Sequence, residues 1–80
     1  MRDDEIVIKQ KIELFKKLNS KIHIMKTSRA FLNGYIDKFD DTNNYIVLND
    51  DLKGPEIVLI DEIYTIQQYK SKEEMKYDIK

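Results

Sequence analysis

Hydrophobic residues in this chain follow two different periods, and the change from one to the other separates a single helix from a series of short strands. From Asp3 to Leu18 they recur at Ile8, Ile12, Phe15 and Leu18, a spacing that puts them on one helical face. Asp3, Asp4 and Glu5 suit the positive N-terminal end of such a helix, and Lys16 and Lys17 suit its negative C-terminal end. Asn19-Ser20 ends it. The pattern predicts a helix over about 3–18 whose apolar stripe packs over the mouth of a sheet.

Beyond Ser20 the period becomes two. Lys21–Lys26 places Ile22 and Ile24 on one face and reads as a first strand. Thr27-Ser28-Arg29 is a tight turn, and Ala30–Asp40 is a long second strand interrupted by Gly34. A glycine inside a strand marks a bend, a bulge or a close backbone approach. Asp40-Asp41-Thr42-Asn43 is a turn of residues whose side chains bond their own backbone. Tyr45–Leu48 is a third strand, Asn49–Pro55 a loop, and Ile57–Ile60 a fourth strand. That fourth strand is nearly continuous in apolar residues, so it is expected to be buried on both faces. Glu62–Gln68 is a fifth, following so abruptly that a sharp corner in one bent ribbon fits better than a hairpin. Lys70–Lys80 is a polar tail with room for a short helix over Glu73–Tyr77. The fold class expected is mainly β: an N-terminal α-helix followed by a five-stranded, strongly bent antiparallel sheet forming a small barrel.

Eighty residues make one domain, expected over 1–69 with the tail at 70–80. A core this small is marginal alone, so packing against copies of itself would add stability. The absence of cysteine excludes disulfides and thiolate metal sites. Apolar runs are too short for a signal peptide or a spanning segment, and the expectation is a soluble, cytoplasmic protein. The net charge of −1 argues against coating nucleic acid by bulk positive charge. Its distribution says more: residues 1–38 hold nine Lys or Arg against five acids, and residues 39–80 hold five against ten. A basic front half and an acidic back half predict a two-faced particle with one positive surface.

Gly34, then Ile36, then Phe39-Asp40, then Asn44 four positions past the Asp form a spaced signature, and Ile63-Tyr64-Thr65-Ile66 closes the last strand. With the helix in front, this resembles the Sm-like (Sm/LSm) family, which includes the archaeal Sm-like proteins and Hfq. The resemblance covers about residues 5–69 and implies the Sm-like variant of the SH3-like small barrel. It further implies a ring of six or seven subunits, in which the fourth strand of one pairs with the fifth of the next. Such rings bind single-stranded RNA, often U-rich or A-rich, without catalysis and in RNA metabolism. By matched position Asn44 would read a base edge, Asp40 would orient it or pair with a neighbouring basic residue, and Thr42 would occupy the stacking slot. Thr42 stands where the family often has His, Phe or Tyr, which leaves Tyr45 or Tyr35 to stack. Ile60-Asp61-Glu62 carries two acids where the family places Arg-Gly or Lys-His.

Lys16, Lys17 and Arg29, with Lys9, Lys21 and Lys26, would form a basic rim holding phosphates; a solvated helix face is the plain alternative. Asp40 and Asn44 also suit a simple turn. His23 has no ligand partners at useful spacing, so no metal or cofactor is expected, and no Ser, Cys or His constellation accompanies the acidic pairs Asp40-Asp41, Asp50-Asp51 and Asp61-Glu62, so no enzyme is expected either. Tyr35, Phe39, Tyr45 and Tyr64 allow an aromatic cage for methylated lysine, or core and interface packing. The competing function is a protein-interaction subunit of a Sm-like assembly that leaves RNA contact to other chains.

Overall fold

The computed structural model describes residues 4–69. Helix α1 spans Glu5–Leu18, and Asp4 caps it by accepting a hydrogen bond from the Ile6 N–H at 3.2 Å. Asn19 closes the other end in the left-handed conformation, φ 52°, a geometry Asn tolerates better than most residues. Ile8 and Ile12 are fully buried and Phe15 packs beside them. Leu18 departs from the expected stripe: it remains 60% exposed, because the chain reverses at Asn19 before that position meets the sheet. The expected helical start at Asp3, the tail 70–80 and its short helix lie outside the described residues.

Five strands follow: β1 (Ile22–Lys26), β2 (Phe31–Asp40), β3 (Tyr45–Asp50), β4 (Gly54–Leu59) and β5 (Ile63–Gln68), with a 3₁₀ turn, Ile60–Glu62, before the last. They form one antiparallel sheet in the order β4-β3-β2-β1-β5. The corner expected after the fourth strand is therefore real. The 3₁₀ turn carries the chain from one margin of the sheet to the other, and β4 and β5 do not pair.

Three features curl the sheet around its core. Gly34 lies so close to β3 that a Cβ there would stand 1.9 Å from the Asn49 carbonyl oxygen. Asp37 is an extra residue in β2, between the pairs Ile36–Leu48 and Lys38–Val47. Tyr64 is an extra residue in β5, between Lys26–Ile63 and Met25–Thr65. Such bulges sharpen local twist and bend the strand. The curled face holds Ile22, Ile24, Leu32, Ile36, Ile46, Leu48, Val58, Ile60, Ile63 and Ile66, and α1 lies across it with Ile8 and Ile12.

Two strand expectations change. β3 and β4 run further than expected, leaving only residues 51–53 between them, because Asp50 organises a tight turn. Its buried carboxylate accepts N–H bonds from Leu52 and Lys53 at 3.0 Å and from Asn33 across the sheet at 2.9 Å. β4 is not buried on both faces. Val58 points inward, while Ile57 and Leu59 are 69% and 48% exposed, because no described residue lies over the outer face of this marginal strand. Among the described residues no helix is long and apolar enough to cross a membrane.

Candidate nucleic-acid interface

The turn between β2 and β3 brings Asp40, Thr42 and Asn44 together. Asp40 spends both carboxylate oxygens on Asn43: one accepts its backbone N–H at 2.9 Å, the other its side-chain Nδ2 at 3.0 Å. The Asn43 side-chain bond, followed by its backbone bond, holds the Asp40 carboxyl below the usual carboxylate value. Asp40 thus shapes the turn by holding Asn43, and does not orient Asn44. Thr42 is exposed at the apex.

Asn44 adopts the left-handed conformation, φ 58°. Its carbonyl accepts the N–H of Ile60 at 2.8 Å, which ties the β2–β3 turn to the Ile60–Glu62 turn. The half-buried Asn44 side chain has no hydrogen-bond partner among the described residues. Two loops far apart in sequence therefore meet beside the Asn44 carboxamide. Next to it, the Tyr45 ring has Lys38 over its face, 5.6 Å from the centroid, and the Tyr45 hydroxyl accepts from the Lys38 Nζ at 3.2 Å. Tyr35 is far along β2, opposite Asn49, so of the two substitutes for a stacking residue only Tyr45 adjoins the turn.

The basic residues divide into paired and unpaired groups. Lys9 meets Asp41 at 2.9 Å, which fastens α1 to the β2–β3 turn, and this hydrogen bond raises the Lys9 pKa against the opposing effect of desolvation. Lys21 pairs with Asp51, and its ammonium lies 4.4 Å from the Tyr69 ring centroid. Lys26 meets Glu62 at 3.5 Å. Lys16 and Lys17, on the exposed last turn of α1, and Arg29, at φ 72° in the β1–β2 turn, have no ion pair with any described residue. Of the six residues expected to form a basic rim, Lys9, Lys21 and Lys26 are thus ion-paired, and Lys16, Lys17 and Arg29 have no ion pair among the described residues.

The acids distribute similarly. Glu62 is engaged structurally, accepting the Leu59 N–H at 3.1 Å besides pairing with Lys26. Asp61 is exposed, and its field contributes to raising the Lys9 pKa. The aromatic cage does not assemble: Phe39 packs on the core, and Tyr45 is occupied by Lys38.

Sequence reasoning missed a groove of about 540 Å³ on the opposite, outer face of the sheet, lined by Met25, Lys26, Thr27, Arg29, Phe31 and Tyr64. His23 stacks on Phe31 there, with ring centroids 5.1 Å apart, and bonds Asn33 through Nδ1. Alternation in β1 already placed His23 and Met25 opposite Ile22 and Ile24; the bulge that turns Tyr64 outward left no such trace.

A crystal structure of Hfq, a pleiotropic translational regulator, is similar to this chain with a TM-score of 0.65. Sequence identity is 18%, and the alignment covers 76% of this chain and 97% of that one. The chain has the Sm-like fold. No family model matches it, and no curated protein does. The Asn44 turn of the residue signature is hydrogen-bonded to the Ile60–Glu62 turn, where this chain carries two acids and departs from the expected pattern.

Proposed function

We propose that this protein binds single-stranded RNA as an oligomeric Sm-like ring, a hexamer or heptamer, without catalysis. The observation that carries the reading is the Asn44 carboxamide, without a hydrogen-bond partner among the described residues and presented where two loops meet in a Sm-like fold. A primary amide offers two donors and an acceptor, which suits the edge of an unstacked base. Tyr45 beside it supplies an aromatic face, and Lys16, Lys17 and Arg29 supply charge for phosphates. Repeating one modest site around a ring turns weak contacts into avidity.

The two unpaired margins, β4 and β5, support assembly. Pairing β4 of one copy with β5 of the next would remove both edges and cover Ile57 and Leu59. A second reading, a protein-interaction subunit that leaves RNA to other chains, is favoured by one observation: Asp40, Asp41, Asp61 and Glu62 surround the Asn44 turn, and Lys9 is held by Asp41.

Native mass spectrometry of the chain alone and with a short U-rich or A-rich RNA tests these readings. A six- or seven-fold assembly carrying RNA supports the first. An assembly of the same size that ignores both RNAs favours the second, and a monomer blind to RNA removes both.

A further inference from the structure

The backbone register shows which groups each open margin offers to another strand. Just outside the paired ends of β1 and β5, Lys21 opposes Tyr69, whose N–H bonds the Lys21 carbonyl at 2.9 Å. Hydrogen-bonded and non-bonded pairs alternate in an antiparallel ladder, so Ile24 and Ile66 form a non-bonded pair. The other side of β1 agrees: Lys26 bonds the Ala30 carbonyl, so two residues earlier Ile24 turns its polar groups toward Leu32. The main-chain N–H and C=O of Ile66 consequently face the open margin. On β4, Ile60 bonds Asn44, so Leu59, Ile57 and Pro55 face outward in the same way.

Both margins are already in use. The Lys11 ammonium reaches from α1 and donates to the Ile66 carbonyl at 3.4 Å. The Glu62 carboxylate accepts the Leu59 N–H at 3.1 Å. Pro55, the third outward position of β4, has no N–H to offer. Of the three outward-facing β4 residues, only Ile57 keeps an N–H that no side chain among the described residues covers. The margins thus carry side-chain caps of opposite sign, each on a main-chain group that an incoming strand would need.

We propose that Lys11 and Glu62 form an autoinhibitory gate on edge-to-edge association between copies of this chain. This rests on the assembly reading above and adds its regulation. In the free protomer the caps satisfy the outward groups and disfavour pairing, as inward-reaching charged side chains do on other edge strands. When β4 of one copy meets β5 of the next, the Leu59 N–H and the Ile66 carbonyl exchange side-chain partners for main-chain ones, and both caps are released. Assembly is therefore set to a higher protein concentration than bare edges would allow.

The test is a dilution series of the full chain followed by sedimentation velocity, comparing wild type, Lys11→Met, Glu62→Ala and the double variant. Each single change should lower the half-assembly concentration by about three- to tenfold, the scale of one net hydrogen bond, and the double variant should lower it further. Thermal melts at a dilution where all are dissociated separate a gating effect from a folding one; if Glu62→Ala melts early, Lys11→Met alone decides. A wild type that assembles with the same midpoint as Lys11→Met overturns the gate and leaves the ring standing. If wild type and the double variant both stay monomeric throughout, the assembly reading falls and takes the gate with it.

Discussion

Gly34 lies directly against the Asn49 carbonyl, and a Cβ at position 34 would approach that oxygen to 1.9 Å and the Asn49 carbonyl carbon to 2.7 Å. Both are backbone atoms, so no side-chain rotation relieves the overlap. Position 34 pairs with Ile22 on one side and Asp50 on the other, at the point where three strands bend together. Gly34→Ala is expected to cost at least about 3 kcal/mol through overpacking. For a domain of this size that lowers the Tm by roughly 12–24 °C. A calorimetric shift under about 5 °C would mean that β2 and β3 separate there without penalty.

Asp50 makes part of the stability sensitive to acid. Burial pushes its carboxyl pKa up, but the backbone N–H groups of Asn33, Lys53 and Leu52 outweigh that and hold it below the usual value. A depressed pKa in the folded state contributes stability that is fully present above the unfolded value, about 3.9. It is lost as pH falls through the folded value. Asp50→Asn replaces one accepting oxygen with a donor that faces N–H groups, and should cost about 1–3 kcal/mol at neutral pH. Urea melts at pH 7 and pH 3 check this: the gap between variant and wild type should narrow at the lower pH. An equal gap at both would assign the loss to shape and not to charge.

The same residue explains where the sequence was misleading. Asn49–Pro55 has the composition of a loop, yet Asp50 condenses it into a short turn, with Gly54 at φ 76° and Pro55 already in β4. Proline fits because its position faces the open margin, where no N–H is required. The apolar run Ile57–Ile60 suggested burial on both faces. Periodicity cannot distinguish a central strand from a marginal one whose outer residues await a partner. Ile8, Ile12, Ile22 and Ile24 were legible because each follows its element's period into a single core. The Asn44 turn was legible as local chemistry, whereas its bond to Ile60 depends on a register that no local pattern encodes. Paired lysines were hidden for the same reason: Lys9 and Asp41 are far apart in the chain, and only folding brings them to 2.9 Å.

Asn44 has to be tested with its backbone in mind. At φ 58° alanine would strain the turn, so a loss of RNA binding in Asn44→Ala would mix a local distortion with a missing amide. Asn44→Gly removes the amide and accepts the conformation. It should leave the thermal midpoint within about 5 °C, since a glycine at such a position changes stability by less than about 1 kcal/mol. RNA affinity should fall up to about tenfold in fluorescence anisotropy, the scale of one net hydrogen bond to a base edge. Unaltered affinity with an intact fold would remove Asn44 from the interface.

Lys16 and Lys17 provide a test that does not depend on the base pocket. Both are exposed on the last turn of α1, and neither has an ion pair with a described residue, unlike Lys9, Lys21 and Lys26. If they neutralise phosphates, each contact releases counterions and adds about 0.7 to the negative slope of log affinity against log salt for a single strand. Lys16→Glu with Lys17→Glu should therefore weaken binding at low salt and flatten that slope by about 1.4 per protomer in contact with RNA. Acids at this end of the helix oppose its dipole, so the double variant should also melt slightly earlier. Lys16→Gln with Lys17→Gln removes the charges without that reversal and should reproduce the flattened slope at a higher Tm. An unchanged slope in both variants would show that RNA does not follow the helix end, leaving Arg29 as the remaining rim residue without an ion pair among the described residues.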